Sequence, residues 1–100
     1  MARVVENGKA VEADEITGEV IKALSDETRR NIVEEIGSGE AYPSEVAKEL
    51  GLSKQKTYYH FNKLEDAEII EESRSEEKSG GTATYYRLKS KAYYLLLSEI

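Results

Sequence analysis

The chain has 100 residues, no cysteine and a formal net charge of −6 at pH 7. That length suits one domain with its own core, and the lack of cysteine excludes disulfides, thiolate metal sites and thiol redox sensing. The sequence contains no apolar run of about 18 residues and no apolar signal segment at its start, so we expect a cytoplasmic protein without a membrane span.

The negative charge is unevenly distributed, which bears on the kind of partner. Residues 1–52 carry 6 Lys and Arg against 12 Asp and Glu, a net charge of −6, whereas residues 53–100 carry 8 of each and are neutral. Overall acidity argues against nucleic-acid binding, but DNA responds to the local field of the face that docks. Because Ser53 to Leu64 holds three lysines and no acid, double-stranded DNA remains a candidate partner.

The first segment allows two interpretations. Residues 1–13 show no helical periodicity, and the pair Asn7-Gly8 favours a tight hairpin turn. Since an isolated hairpin is only marginally stable, we expect either a weak hairpin or a frayed tail there. The domain itself is predicted to span 14–100.

Two helices are predicted next. Asp14 to Leu24 places Ile16 and Val20 on one apolar stripe that ends at Leu24. Thr28 to Ile36 forms the second helix, which a Gly-Ser-Gly sequence stops.

Residues 44–64, SEVAKELGLSKQKTYYHFNKL, carry the main functional signal. A helix from Glu45 to Leu50 is predicted, with Ser44 as its N-cap, and a turn containing glycine follows it. Ser53 then caps a second helix that continues to about Ala67. Two short helices joined by such a turn predict a helix-turn-helix, whose second helix enters the major groove of DNA.

The hydrophobic period changes after this unit. Ile69 to Arg74 and Thr84 to Leu88 read as strands joined by a polar loop with Gly80-Gly81. A hairpin directly after a recognition helix is the wing of a winged helix, and Ser90 is predicted to cap a last helix, KAYYLLLSEI. The expected fold is therefore mostly α with a small β-hairpin: a winged helix-turn-helix of about five helices with a two-stranded wing.

These segments resemble the ArsR-like winged helix-turn-helix transcriptional regulators of bacteria and archaea. The start of the family's opening helix is similar to the segment KALSDETRRNIVEEI. SEVAKELGLSKQKTYYHFNKLEDAEII is similar to its positioning helix, recognition helix and first wing strand, and TATYYRL to its returning strand. The resemblance implies a homodimeric repressor or activator that binds a palindromic operator, often with the first and last helices at the dimer interface.

Two departures from the family pattern have consequences. The family's metal sensors carry a Cys pair in the positioning helix or His and Asp ligands in the last helix, which this chain lacks, so we expect no metal and no cofactor. The position after Ala67 is usually glycine in the family and is Glu68 here. If the backbone there is left-handed, a residue with a Cβ costs about 1 kcal/mol. We therefore predict that Glu68→Gly stabilises the domain.

The recognition helix divides into a buried and an exposed side. At about 100° per residue, Thr57, Phe61 and Leu64 share one arc, which we expect to face the core. Outside it, Gln55 is suited to bond adenine and Lys56 guanine, while other lysines reach phosphates; a merely solvated helix face is the alternative. The predicted DNA contacts are Ser53, Lys54, Gln55, Lys56, Tyr58, Tyr59, His60 and Lys63 in the helix and Arg74, Lys78, Thr82 and Arg87 in the wing.

Three further expectations concern single residues. His60 lies beside the buried arc, and a backbone or phosphate partner is favoured over a metal because the chain has no second His. Arg29 is expected to pair with a nearby glutamate. Glu76 and Glu77 flank the wing loop and would repel phosphate, which argues against deep insertion of the wing.

The last helix is apolar on nearly all sides, more than a small monomer can bury. Together with the first helix it predicts a two-fold dimer interface, with packing onto its own domain as the alternative. The predicted interface residues are Ile16, Val20, Leu24, Tyr93, Leu96 and Leu97.

The sequence thus predicts a regulator that binds double-stranded DNA in a sequence-specific manner, as a homodimer, through a recognition helix at residues 53–67. No catalytic residue is expected, because the chain has one His, no Cys and no glycine-rich phosphate loop. The effector is left open. The alternative is an acidic winged-helix module that binds proteins in a transcription-related assembly.

Overall fold

The computed structural model describes residues 2–95, which form two small sheets and a helical core. In chain order the elements are β1 (Ala2–Glu6), β2 (Lys9–Glu15), α1 (Gly18–Leu24), α2 (Glu27–Ile36), β3 (Glu40–Ala41), α3 (Pro43–Leu50), α4 (Lys54–Asp66), β4 (Ile70–Lys78), β5 (Gly81–Leu88) and β6 (Tyr93–Tyr94). One sheet has the order β1-β2-β6 and the other β3-β5-β4.

The N-terminal segment forms an antiparallel hairpin rather than a frayed tail. Its turn is made by Asn7 and Gly8, whose φ angles of 51° and 77° suit a two-residue hairpin loop. The second strand runs further than expected, because Asp14 and Glu15 pair in parallel with β6. The prediction of a helix from Asp14 was therefore wrong: α1 begins at Gly18, where Thr17 is the N-cap.

The predicted last helix is wrong in the part that the structure describes. Tyr93–Tyr94 is a strand, and its neighbours are tied to the N-terminal hairpin by backbone hydrogen bonds. Asp14 N–H donates to the carbonyl of Ala92 at 3.0 Å and Ile16 N–H to that of Tyr94 at 2.9 Å. Residues 96–100 of that prediction lie outside the described residues. Residues 2–95 thus contain four helices rather than about five.

The helix-turn-helix consists of α3 and α4. The first helix begins at Pro43 with Tyr42 as N-cap, so the predicted Ser44 cap is wrong. Proline fits the first position because the N–H that it lacks would have no partner inside the helix. Gly51 ends this helix with a left-handed φ of 67°. Ser53 caps α4 as predicted, accepting the backbone N–H of Lys56 at 3.1 Å.

The core lies between α4, the other helices and the inner face of the wing sheet. Thr57, Phe61 and Leu64 are at most 1% exposed, which confirms the predicted inward arc of the recognition helix. The other large side chains that are fully buried are Ile32, Val46 and Ile70.

The wing is longer and has one more strand than predicted. β4 and β5 reach a tight turn at Ser79-Gly80, and β3 pairs with β5 to make a three-stranded sheet. A register shift between Glu72 and Arg74 marks a bulge at Ser73.

Candidate nucleic-acid interface

The outer side of α4 presents a continuous polar surface. Seven of the predicted contact residues of this helix are exposed: Ser53, Lys54, Gln55, Lys56, Tyr58, Tyr59 and Lys63. Asn62 is exposed beside them, and no acid precedes Glu65 in this helix. The two tyrosines keep 48% and 54% of their surface exposed, so both rings are available to a ligand.

The buried residues of α4 determine the orientation of this surface. The Thr57 hydroxyl donates to the carbonyl of Ser53 at 2.8 Å, which ties the first turn of α4 to its cap. The Phe61 ring meets Tyr86 of the wing edge-on, with 5.3 Å between the ring centroids. The contact between Phe61 and Tyr86 fixes the rotation of α4 about its axis, and with it the direction in which Gln55 and Lys56 point.

Lys63 and Tyr59 interact on the exposed surface. The ammonium of Lys63 lies 5.6 Å from the centroid of the Tyr59 ring, within the range of a cation–π contact. The Tyr59 ring also meets His60 edge-on at 5.2 Å. The positive charge of Lys63 is thereby kept on the outer side of the helix.

His60 is not part of the exposed surface. It is 5% exposed, so its inclusion among the predicted DNA contacts was wrong. Its Nδ1 lies 3.2 Å from the guanidinium of Arg29, which makes Nδ1 the acceptor. Burial and the charge of Arg29 lower the pKa of His60, while Asp26 acts in the opposite direction. The imidazole is therefore a neutral link between α2 and the recognition helix.

The Arg29 partner was also predicted incorrectly. Instead of a glutamate, its Nε donates to the carbonyl of Ala23 at 2.7 Å, while Arg30 donates to the carbonyl of Leu24 at the same distance. Two unpaired carbonyls at the end of α1 are thus satisfied by α2. Arg29 of α2 consequently contacts two other helices, α1 and α4, which a sequence pattern does not reveal.

The wing residues predicted to contact DNA are engaged with carboxylates. Arg74 lies 2.6 Å from both Glu40 and Glu76, and Lys78 lies 3.6 Å from Glu76. The Thr82 hydroxyl donates to Glu77 at 3.4 Å. Arg87, at the base of the wing, pairs with Glu71 at 2.9 Å. Each of the four wing residues predicted to contact DNA thus has a carboxylate partner within the described residues.

The sequence interpretation missed Glu40. This residue lies on β3 and also accepts a hydrogen bond from Ser73. That bond, followed by the one from Arg74, lowers the pKa of the Glu40 carboxyl. No local signal identifies it, because both partners are far away in the chain.

The predicted dimer residues lie mostly against the core of the same chain. Val20 is 3% exposed, so it was wrongly assigned to an interface. Ile16, Leu24 and Tyr93 are partly buried and pack on the same core. Leu96 and Leu97 lie outside the described residues.

Residues 2–95 contain neither a metal-binding cluster nor a membrane-spanning helix. No group of three or more His, Cys, Asp or Glu in this range is arranged to hold a metal ion. None of its helices is long and apolar enough to cross a membrane.

A helix-turn-helix followed directly by a β-hairpin that packs on the second helix defines a winged helix-turn-helix domain. A helix-turn-helix domain family matches residues 24–73, half of the chain. The transcriptional repressor SdpR of Bacillus subtilis (strain 168) is 34% identical over 71 residues, which are 71% of this chain and 73% of SdpR. The chain therefore belongs to the ArsR-like winged helix-turn-helix family of transcriptional regulators.

Solved structures show the same fold. An ArsR-like transcriptional regulator from Rhodococcus sp. RHA1 has a TM-score of 0.57 and 31% identity, over 70% of this chain and 61% of that one. The homodimeric winged helix-turn-helix DNA-binding domain (fragment 1–100) of Mb0332 from Mycobacterium bovis has a TM-score of 0.61 and 22% identity, over 73% of this chain and 63% of that one.

Proposed function

We propose that this protein binds a specific double-stranded DNA sequence as a homodimer and regulates transcription from a palindromic operator, with residues 53–67 in the major groove. The observation that carries the proposal is the surface of α4. It combines three lysines, one glutamine and two exposed tyrosines, with no acid before Glu65, in a chain whose net charge is −6.

The geometry supports different roles for the exposed residues. Gln55 and Lys56 lie in the first turn of α4, the part of a recognition helix that meets base edges. There the Gln55 amide can bond adenine and the Lys56 ammonium guanine. Lys63 lies in the last turn of the helix and is suited to a phosphate, which positions the protein without reading sequence.

The dimer proposal takes support from the family and from exposed apolar residues near α1. Ile21 is 49% exposed and Leu95, directly after β6, is 43% exposed. β6 is held beside the start of α1 by the bond from Ile16 N–H to Tyr94. We therefore propose an interface that includes Ile21 and Leu95, with the buried Val20 supporting it from beneath.

Selection from random duplexes by the purified protein tests the function. An enriched palindrome is expected, whereas no enrichment would favour the acidic protein-interaction module. On the enriched duplex, Gln55→Ala and Lys56→Ala should each lose about 1–3 kcal/mol of discrimination at one base pair.

Lys63→Ala should weaken all duplexes equally and reduce the salt slope by about 0.9. Lys9→Ala removes the same charge from the N-terminal hairpin and serves as the control. If the three α4 variants bind as Lys9→Ala does, α4 is not the docking helix.

Sedimentation equilibrium tests the dimer. The wild type should have twice the 11.2 kDa mass of the chain, and Ile21→Lys should shift it toward the monomer. Val5→Lys, at a residue that is 77% exposed on β1, is the matched control and should remain dimeric. An Ile21→Lys variant as dimeric as the control would refute the interface.

A further inference from the structure

The wing hairpin separates its charges by face, and the strand register shows how. Tyr86 packs on Phe61 of the recognition helix, so we name the face that contains Tyr86 the inner face. Residues opposite one another on paired strands share a face. The inner face therefore comprises Ile70, Glu72, Ser75, Glu77, Thr82, Thr84, Tyr86 and Leu88. It carries two carboxylates and no Lys or Arg.

The cations of the wing lie on the other face, which we name the outer face. Arg87 is opposite Glu71 and Glu40, and Arg74 is opposite Tyr85. The bulge at Ser73 produces this arrangement, because an extra residue turns the following side chain to the other side of the strand. Without it, Arg74 would share the inner face with Glu72.

The outer face is electrically balanced. Arg74, Lys78 and Arg87 meet the carboxylates of Glu40, Glu71 and Glu76 in four ion pairs of 2.6–3.6 Å. Arg74 is further held by Tyr85, whose ring centroid lies 3.9 Å from the guanidinium carbon. Lys78 lies 5.4 Å from the centroid of the Tyr42 ring. The side chains of Arg74 and Lys78 are 47% and 41% exposed, so these partners compete with any phosphate for the two cations.

Free cations on a wing would attract any DNA, since phosphate contacts give affinity without sequence information. Discrimination is the difference between specific and non-specific affinity, so it improves when contacts of this kind are suppressed. We propose that Glu40 and Glu76 are specificity determinants, which hold Arg74 and Lys78 on the outer face and so leave DNA recognition to α4. The inference rests on the proposed function and adds residues that contact no base.

Binding of a random duplex at 50 and 200 mM salt tests the inference. Glu76→Gln and Glu40→Gln should each bind random DNA more tightly than wild type and steepen the salt slope by about 0.9 for each additional phosphate that a released cation neutralises. That slope corresponds to an additional loss of about 3.5-fold per phosphate between the two salt concentrations. The ratio of operator to random affinity should fall.

Glu12→Gln is the matched control. Glu12 is exposed on β2, makes no ion pair with any residue in 2–95, and its replacement changes the net charge by the same amount. Adding Lys78→Gln to Glu76→Gln should reverse most of the increase in affinity, because Lys78 loses its carboxylate partner in Glu76→Gln, whereas Arg74 keeps Glu40. Circular dichroism melting curves verify that each variant is folded.

The outcomes separate this inference from the proposed function. If the wild type selects an operator but both wing variants match Glu12→Gln in random-duplex affinity and salt slope, the wing inference is overturned and the function stands. If the wild type selects no sequence, the proposed function fails and the inference with it.

Discussion

Glu68 follows the recognition helix with a φ of 60°, the left-handed backbone that the family pattern led us to expect. Its N–H donates to the carbonyl of Glu65 at 2.9 Å, and the N–H of Ile69 donates to that of Leu64 at 3.0 Å. These two bonds form a Schellman motif, in which glycine is the preferred residue at the position of Glu68. The helix thus ends at a residue whose left-handed backbone is strained by its Cβ.

Replacing Glu68 by glycine is expected to stabilise the domain. Relief of the left-handed strain contributes about 1–2 kcal/mol, and the greater freedom of glycine in the unfolded chain removes about 0.5–1 kcal/mol of that. The variant also loses the exposed ion pair to Lys89 at 3.0 Å, a kind of contact that stabilises little. The net gain should therefore be below about 1 kcal/mol.

A comparison of Glu68→Gly with Glu68→Ala isolates the backbone contribution. Both variants lose the ion pair, but alanine keeps the Cβ that makes the left-handed conformation costly. Glycine should exceed alanine by about 1 kcal/mol, which corresponds to about 4–8 °C in Tm for a domain of this size. A glycine variant no more stable than the alanine variant in thermal unfolding would refute the strain argument.

Three other changes test the packing beneath the recognition surface. Phe61→Ala removes the ring on Tyr86 and should lower the free energy of unfolding by about 3–5 kcal/mol in urea titration; a loss below 1 kcal/mol, which is about what one buried methylene contributes, would contradict the core assignment. Ser53→Ala should cost about 1 kcal/mol, whereas Ser53→Gly should cost only a few tenths, and equal losses would argue against the cap. Burial lowers the pKa of His60 below 6.5. As the pH falls, the imidazole is therefore protonated in the unfolded chain at a higher pH than in the folded one. Stability should fall as the pH drops below about 6.5 and level off under the folded pKa. His60 is the single His of the chain, so His60→Gln should abolish that slope, and a slope that persists would assign it to other groups.

The parts of the fold that were predicted correctly depend on short-range signals. The recognition helix follows from a capping serine and from the 3.6-residue spacing of Thr57, Phe61 and Leu64. The wing strands follow from alternation and from glycines between them. Assigning the residues outside this arc to the exposed side of α4 is correct for Gln55 and Lys56 but fails for His60, which is buried against Arg29 of another helix.

The errors in the predicted elements lie near the ends of the chain and at one helix cap. The apolar run after Ser90 has helical composition, yet Tyr93–Tyr94 pairs with β2 instead. That pairing joins a strand near the start of the chain to one near its end. Neither segment contains a sequence pattern that indicates its partner. The Ser44 cap failed for a different reason: the proline before it starts a helix equally well without a side-chain hydrogen bond.

The exposed residues of the recognition helix can be identified from the sequence of that helix, whereas the residues that contact it or the wing from elsewhere in the chain cannot. Gln55 and Lys56 are identified from their own helix, whereas the link from Arg29 to His60 spans 31 positions and that from Arg74 to Glu40 spans 34. Each long-range link ties an arginine to another element: Arg29 to α4 through His60, and Arg74 to β3 through Glu40. The exposed basic charge of α4 itself comes from Lys54, Lys56 and Lys63. An acidic chain can bind DNA selectively when its positive field is concentrated on one helix, and here that helix is the one proposed to read bases.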